Sequence, residues 1–155
     1  ELIINVQGDE PLIEPSLIDE LAAVFEGEAS LPMATVMTPM EDPAEQQDPN
    51  NVKVVTDQKG YALYFSRSLL PYPRCAGRAA VFKHIGIYAY RRDFLLRYAK
   101  MAPTPLEQAE SLEQLRVLEN GYPIRVIRTD RCFVGVDTPE DLARVNAIYR
   151  ERGIP

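Results

Sequence analysis

Asp9 and Asp137 stand far apart in the chain, yet each closes an apolar run and opens a loop. Asp9 lies in NVQGDEPLIEP (5–15), directly after LIINV (2–6). Asp137 follows FVGV and stands just before a helix start in DTPED. In open α/β sheets, ligands collect beyond the carboxyl ends of the strands. If both runs are strands of one sheet, the two carboxylates converge. Hard oxygen donors, few in number and without His or Cys beside them, suit Mg2+, which is usually held by one or two carboxylates plus substrate phosphates. Each aspartate alone also has a plainer reading, as a solvated turn at Asp9 and a helix cap at Asp137.

Arg67 and Arg74, in FSRSLLPYPR, form a second constellation. Pro71 and Pro73 stiffen their segment and lower the entropy lost when a side chain is held still. The guanidinium fork matches a carboxylate or phosphate two bonds at a time; surface arginines are the competing reading. In VFKHIGIYAY (81–90), strand alternation puts Phe82, His84, Gly86, Tyr88 and Tyr90 on one face and Ile85, Ile87 and Ala89 on the other. The isoleucine face reads as core. The opposite face carries polar rings around a glycine, which leaves room for a ligand or another backbone; a satisfied structural histidine is the alternative. Glu113 and Gln114 flank a leucine stripe and, on their own, read as a solvated helix face. Neither GxGxxG, GxxxxGK nor GxSxG occurs, so any phosphate-gripping loop lies outside this chain.

The elements that must position these residues follow from the same patterns. LIINV is a continuous apolar run, the mark of a strand covered on both faces. Leu17, Ile18, Leu21, Val24 and Phe25 recur at helical spacing, with Ser16 and Asp19 as a capping pair. MATVMT (33–38) reads as a strand and the polar stretch through Asn51 as a loop. VKVVT and YALYFS flank DQKG (57–60) as a β-hairpin. A helix is expected around Arg92–Met101. Another, capped by Thr104 with Pro105 and Glu107 behind it, should run to about Asn120 and stop at Gly121. IRVIRT is a further strand, and Thr138 with Pro139 opens a last helix that ends near Gly153. The order predicts one domain over 1–155, an α/β three-layer sandwich with a mostly parallel sheet and an antiparallel hairpin excursion.

The 155 residues are 46% hydrophobic and 26% charged, as in a globular domain with a real core. The net charge of −6 argues against nucleic-acid binding, which needs a basic footprint. No apolar run approaches bilayer-spanning length. Cys75 and Cys132 form no CxxC pair and His84 is the lone histidine, which excludes a cysteine-rich zinc site and fits a reducing, cytoplasmic setting. The chain opens on Glu1 with a strand already under way at Leu2, so a fragment lacking its upstream part is expected.

Taken together, NVQGDEPLI, NNVKVV with GYALYFSR, PYPR, HIGIYAYR, LEQLRVLENGY and GVDTPEDL resemble the 3-deoxy-manno-octulosonate (Kdo) cytidylyltransferases, in the family's order and over nearly the whole chain. The resemblance implies a fold of the nucleotide-diphospho-sugar transferase type without its N-terminal nucleotide-binding part. It implies CMP transfer from CTP to the acidic sugar Kdo, with release of pyrophosphate, for lipopolysaccharide synthesis. By position it assigns Asp9 and Asp137 to catalysis as magnesium ligands. Gln7, Arg67, Arg74, His84, Tyr88, Glu113 and Gln114 would line the sugar site. It also implies a homodimer, with the hairpin near Val52–Ser66 as contact, and no nucleic-acid or membrane partner. Two other functions remain open: a cytidylyltransferase for another acidic sugar, such as a sialic acid, and, for the fragment alone, a non-catalytic sugar-binding or dimerisation module. The fragment itself is expected to be inactive.

Overall fold

Strand β5 (Val81–Arg91) is the hub of the sheet, because both of its edges are occupied along its length. The computed structural model describes every residue except 9, 10, 76, 132, 134, 137 and 152–155. Along one edge, β5 pairs with β2 (Met33–Met40) from Met33↔Tyr90 to Met40↔Val81. Along the other, its first half meets β3 (Lys53–Thr56) at Lys53↔Lys83 and its second half pairs with β1 (Leu2–Asn5), with Asn5↔Tyr88 in register. β4 (Ala62–Ser66) extends the sheet beyond β3, and β6 (Ile124–Arg128) extends it beyond β2. β1, β2 and β3 each run antiparallel to β5, and β6 runs parallel to β2. Four of the six strands among the described residues therefore point the same way, and their carboxyl ends share one rim. Only the β2–β6 ladder is parallel among the described pairings, because β5 is inserted head-down in the middle. The hairpin is no separate appendage; it forms one edge of the sheet.

Alternation along β2 and β5 divides the core between two faces. Ala34, Val36, Ile85, Ile87 and Ala89 pack with Leu17 and Leu21 of α1 (Pro15–Ala23). Met33, Met37 and Tyr90 pack on the opposite face with Phe94 and Tyr98 of α3 (Arg92–Tyr98). Helices thus cover both faces, the three-layer arrangement that the pattern predicts. Leu17 and Leu21 are fully buried, and each contributes roughly 1.5–3 kcal/mol of transfer free energy.

Three local expectations are corrected. α1 begins at Pro15 with Glu14 as its cap, so Ser16 lies inside the first turn and does not cap; its hydroxyl accepts from Arg131 instead. The polar loop after β2 contains a short helix, α2 (Pro43–Gln47), started by the Asp42 side chain accepting from the Ala44 N–H at 2.8 Å. The single helix expected from Thr104 is two, α4 (Pro105–Glu110) and α5 (Gln114–Glu119), broken at Ser111 with φ +52°. Tertiary contacts stabilise the break. Arg67 donates to the carbonyls of Glu110 and Ser111, while Glu119 of α5 reaches back to accept from the Leu106 N–H at 3.0 Å. Those partners satisfy groups that a helix end leaves open.

Two expectations hold in detail. The β3–β4 turn closes on Gly60 at φ +81°, a conformation that suits glycine. The last helix, α6 (Pro139–Glu151), opens on a reciprocal cap between Thr138 and Asp141. It packs back through Val145 on Leu12, and the Tyr149 hydroxyl donates to the Pro11 carbonyl at 2.5 Å. The FVGV strand expected before Asp137 falls partly on residues outside the described set; Phe133, Gly135 and Val136 are not in strand conformation.

Candidate functional site

A cavity of about 690 Å3 opens where β1, the start of β3, the first half of β5 and the amino end of α6 meet. Gln7 stands two residues beyond β1. Asp48, Asn50 and Asn51 come from the turn that leads into β3. His84 and Gly86 lie on β5, while Thr138 and Asp141 lie at the start of α6. These residues offer amide, carboxylate, hydroxyl and imidazole groups, which hydrogen-bond hydroxyls well, and Lys83 and Arg144 add two cations to the lining.

His84 can be assigned a single chemical role. Its Nε2 lies 3.0 Å from the Thr35 hydroxyl, and that hydroxyl lies 2.7 Å from the Ile87 carbonyl. A hydroxyl has one proton, and the carbonyl can only accept it. Thr35 therefore donates to Ile87, and His84 donates its Nε2 proton to Thr35. Nδ1 then keeps a lone pair and is an acceptor. Burial lowers the imidazole pKa to about 3, so the ring stays neutral at ordinary pH. Phe65 sets the ring edge-on, with centroids 5.0 Å apart, and Tyr88 lies tilted 5.4 Å away. Gly86 lies on the cavity side, as its alternation predicts, with the Gln7 side chain beside it. A methyl group at residue 86 would meet the Gln7 Cγ at 3.6 Å, an ordinary contact.

Of the residues singled out in the sequence, the structure brings Gln7 and His84 onto one cavity. Tyr88 is joined to His84 by ring contact, and burial first, then the neighbouring Tyr90, Tyr98 and Glu113 charges, raises its hydroxyl pKa well above the usual value. Glu113 is exposed at the start of α5, where its carbonyl accepts from Tyr98 at 2.9 Å; Gln114 beside it is buried, not on a solvated face. Arg67 is a clasp: its guanidinium donates to the backbone carbonyls of Pro49, Glu110 and Ser111. Arg74 is exposed and does not line this cavity. Asp9 and Asp137 lie outside the described residues, as does the Cys132 thiol. Among the described residues, no cluster of three or more His, Cys, Asp or Glu could hold a metal ion.

Sequence reasoning missed the Asp48–Asn51 turn. The Asp-Pro-Asn-Asn run was a turn signal, but nothing local showed that it faces His84. It also missed Lys83 and Arg144, which line both this cavity and an adjoining one of about 960 Å3. In that second space Arg128 is paired with Asp130 at 3.0 Å, and Arg131 with Glu14 at 2.9 Å and Glu20 at 2.6 Å.

The family model described as "Cytidylyltransferase" matches residues 1–128 of this chain. The chain belongs to the cytidylyltransferase family. Within it, a Syntrophotalea carbinolica 3-deoxy-manno-octulosonate cytidylyltransferase is 52% identical over 159 residues, covering 97% of this chain and 64% of the relative. A Fusobacterium nucleatum protein of the same name is 53% identical over 154 residues, covering 99% and 63%. The solved structure of a CMP:2-keto-3-deoxy-manno-octonic acid synthetase complexed with CTP superposes with a TM-score of 0.92 at 44% identity, over 97% of this chain and 62% of that one. The chain thus spans a little under two thirds of the length of the relatives it matches. Among its described residues no helix is long and apolar enough to cross a membrane.

Proposed function

We propose that the protein to which this chain contributes transfers CMP from CTP to Kdo, releasing pyrophosphate, as a step of lipopolysaccharide synthesis. The observation that carries this reading is the meeting of Gln7 and His84 with the amino end of α6 on one polar cavity. Gln7 comes two residues before Asp9, and Thr138 comes one residue after Asp137. Described residues beside both aspartates thus line one cavity, which supports a site where an acidic sugar and a nucleotide could be held together.

In this reading the His84 Nδ1 accepts a hydrogen bond from a sugar hydroxyl. Its depressed pKa makes it a reader of that hydroxyl and not a base. Gln7, Tyr88, Glu113 and Gln114 would orient the remaining hydroxyls. Arg74 would offset the sugar carboxylate, and Arg67, whose guanidinium is held by backbone carbonyls, would add its positive charge without a direct hydrogen bond. Asp9 and Asp137 would hold magnesium, which suits a donor set of hard carboxylate oxygens. When bound, the ion would neutralise charge at the α-phosphate and lower the pKa of the attacking hydroxyl. The sugar's anomeric hydroxyl loses its proton to solvent and its oxygen forms the new bond to the α-phosphorus as the bond to pyrophosphate breaks, so positioning and electrostatics carry most of the rate.

The reading extends to assembly and setting. A cytoplasmic homodimer is proposed, with the β3–β4 hairpin as contact, supported by Leu63 at 62% exposure on the edge strand β4. The 155-residue chain alone is proposed to be inactive, since it carries no glycine-rich phosphate loop. Pyrophosphate release by the full-length protein, with CTP and either Kdo or N-acetylneuraminic acid, tests the substrate. Turnover with Kdo is expected; turnover with the sialic acid alone, or with neither sugar, would reject the proposal.

A further inference from the structure

Lys53 is completely buried, yet no carboxylate lies within ion-pair distance of its ammonium among the described residues. Lysine is almost never fully buried without a partner charge. A hydrophobe of similar length would normally serve a core better, because removing an ammonium from water costs several kcal/mol. Glu107, the other buried residue of full charge among the described residues, is matched by Arg116. Lys53 instead spends its protons on two backbone carbonyls, donating to Asp48 O at 2.9 Å and Asn51 O at 2.6 Å. Both belong to the turn that walls the cavity.

The same turn is fastened elsewhere. The Asp48 carboxylate accepts from the Asn50 N–H at 2.8 Å, the Asn51 amide donates to Glu45 O at 3.1 Å, and Arg67 donates to Pro49 O at 3.1 Å. The Val52 carbonyl accepts from the His84 N–H at 2.8 Å, which ties the turn to the strand bearing the histidine. A shift of the turn would therefore move Asp48, Asn50 and Asn51 relative to His84.

We infer that Lys53 is a positioning residue: its buried ammonium holds the Asp48–Asn51 turn in place as the hydroxyl-reading wall of the sugar cavity. The inference rests on the proposed cytidylyl transfer to Kdo for the identity of the sugar, but not for the hold on the turn. The neighbouring Asp48 and Glu110 charges favour the ammonium, while burial disfavours it more and lowers its pKa.

The test uses the full-length enzyme carrying K53M, which keeps the volume and removes the donors, and P49G, which loosens the exposed side of the same turn. KM for Kdo and for CTP, kcat, the denaturation midpoint and hydrogen exchange at Asn50 to Val52 are measured. Both variants should raise KM for Kdo by about tenfold or more, leave KM for CTP within about twofold and speed exchange at the turn. K53M should keep the wild-type midpoint. Unchanged exchange and an unchanged KM for Kdo would overturn the inference, and so would equal rises in both KM values with a fallen midpoint. Should K53M not fold, P49G decides by the same split. If the wild-type enzyme does not turn over Kdo, the functional reading falls, and exchange at the turn in the variants alone judges Lys53.

Discussion

Acid should unfold this protein partly through one side chain. In the folded state burial holds the His84 pKa near 3, whereas in the unfolded chain it returns to its ordinary value of 6.5. Between those values the unfolded state binds a proton that the folded state does not. His84's contribution is therefore fully present above pH 6.5 and is lost as pH falls toward 3. Each pH unit in that window is worth about 1.4 kcal/mol, so acidification from pH 6.5 to about pH 4 should remove about 3 kcal/mol, a large share of a domain's typical stability. The perturbation is His84→Gln, which keeps a polar side chain on Thr35 but cannot titrate. Denaturant unfolding is followed at several pH values for both proteins. At neutral pH the variant should be less stable by about 1 kcal/mol or more, from the altered hydrogen bond and ring packing. On acidification it should lose about 3 kcal/mol less than the wild type. The ion-paired carboxylates Glu20 and Glu107 also weaken in acid, but they do so in both proteins and cancel in the difference. Parallel stability curves across the window would refute the argument, because they would mean that the ring protonates in place.

Leu21→Ala removes a fully buried side chain between α1 and the sheet and should cost about 2–5 kcal/mol in unfolding free energy. Glu107→Gln leaves the guanidinium of Arg116 facing a neutral amide between α4 and α5; a loss of about 1–3 kcal/mol is expected by denaturation at neutral pH. That difference should shrink as pH falls below the ordinary carboxylate range, because Arg116 first, and then the Thr104 N–H, holds the Glu107 pKa below it.

The parts of this fold that alternate along one strand were legible from residue types alone. The two faces of β5 separate as the spacing predicts, so His84 and Gly86 appear on the cavity side and Ile85, Ile87 and Ala89 in the core. Turn and cap chemistry was equally local, as at Gly60 and Thr138. Direction was not local. An apolar strand reads the same either way up, so the antiparallel insertion of β5 could be learned only from its partners. The break at Ser111 was hidden for a related reason. The leucine spacing continues through it, and the carbonyls it frees are satisfied by Arg67, which is remote in sequence. Residue type told that Arg67 would bind oxygens, but not that they belong to the backbone. Lys53 was invisible for the converse reason: a lysine in VKVV alternation gives no sign that its ammonium is buried under a turn.

The central claim is that two loops distant in the chain close on one divalent ion at the carboxyl rim of the sheet. Manganese binding, followed by electron paramagnetic resonance in the full-length protein with Asp9→Asn, Asp137→Asn and the double variant, tests it most directly. The account predicts that each single change abolishes or weakens the same site and that the double change is no worse than the more severe single one. Unaltered manganese binding in either single variant, or losses in the two that simply add, would contradict it.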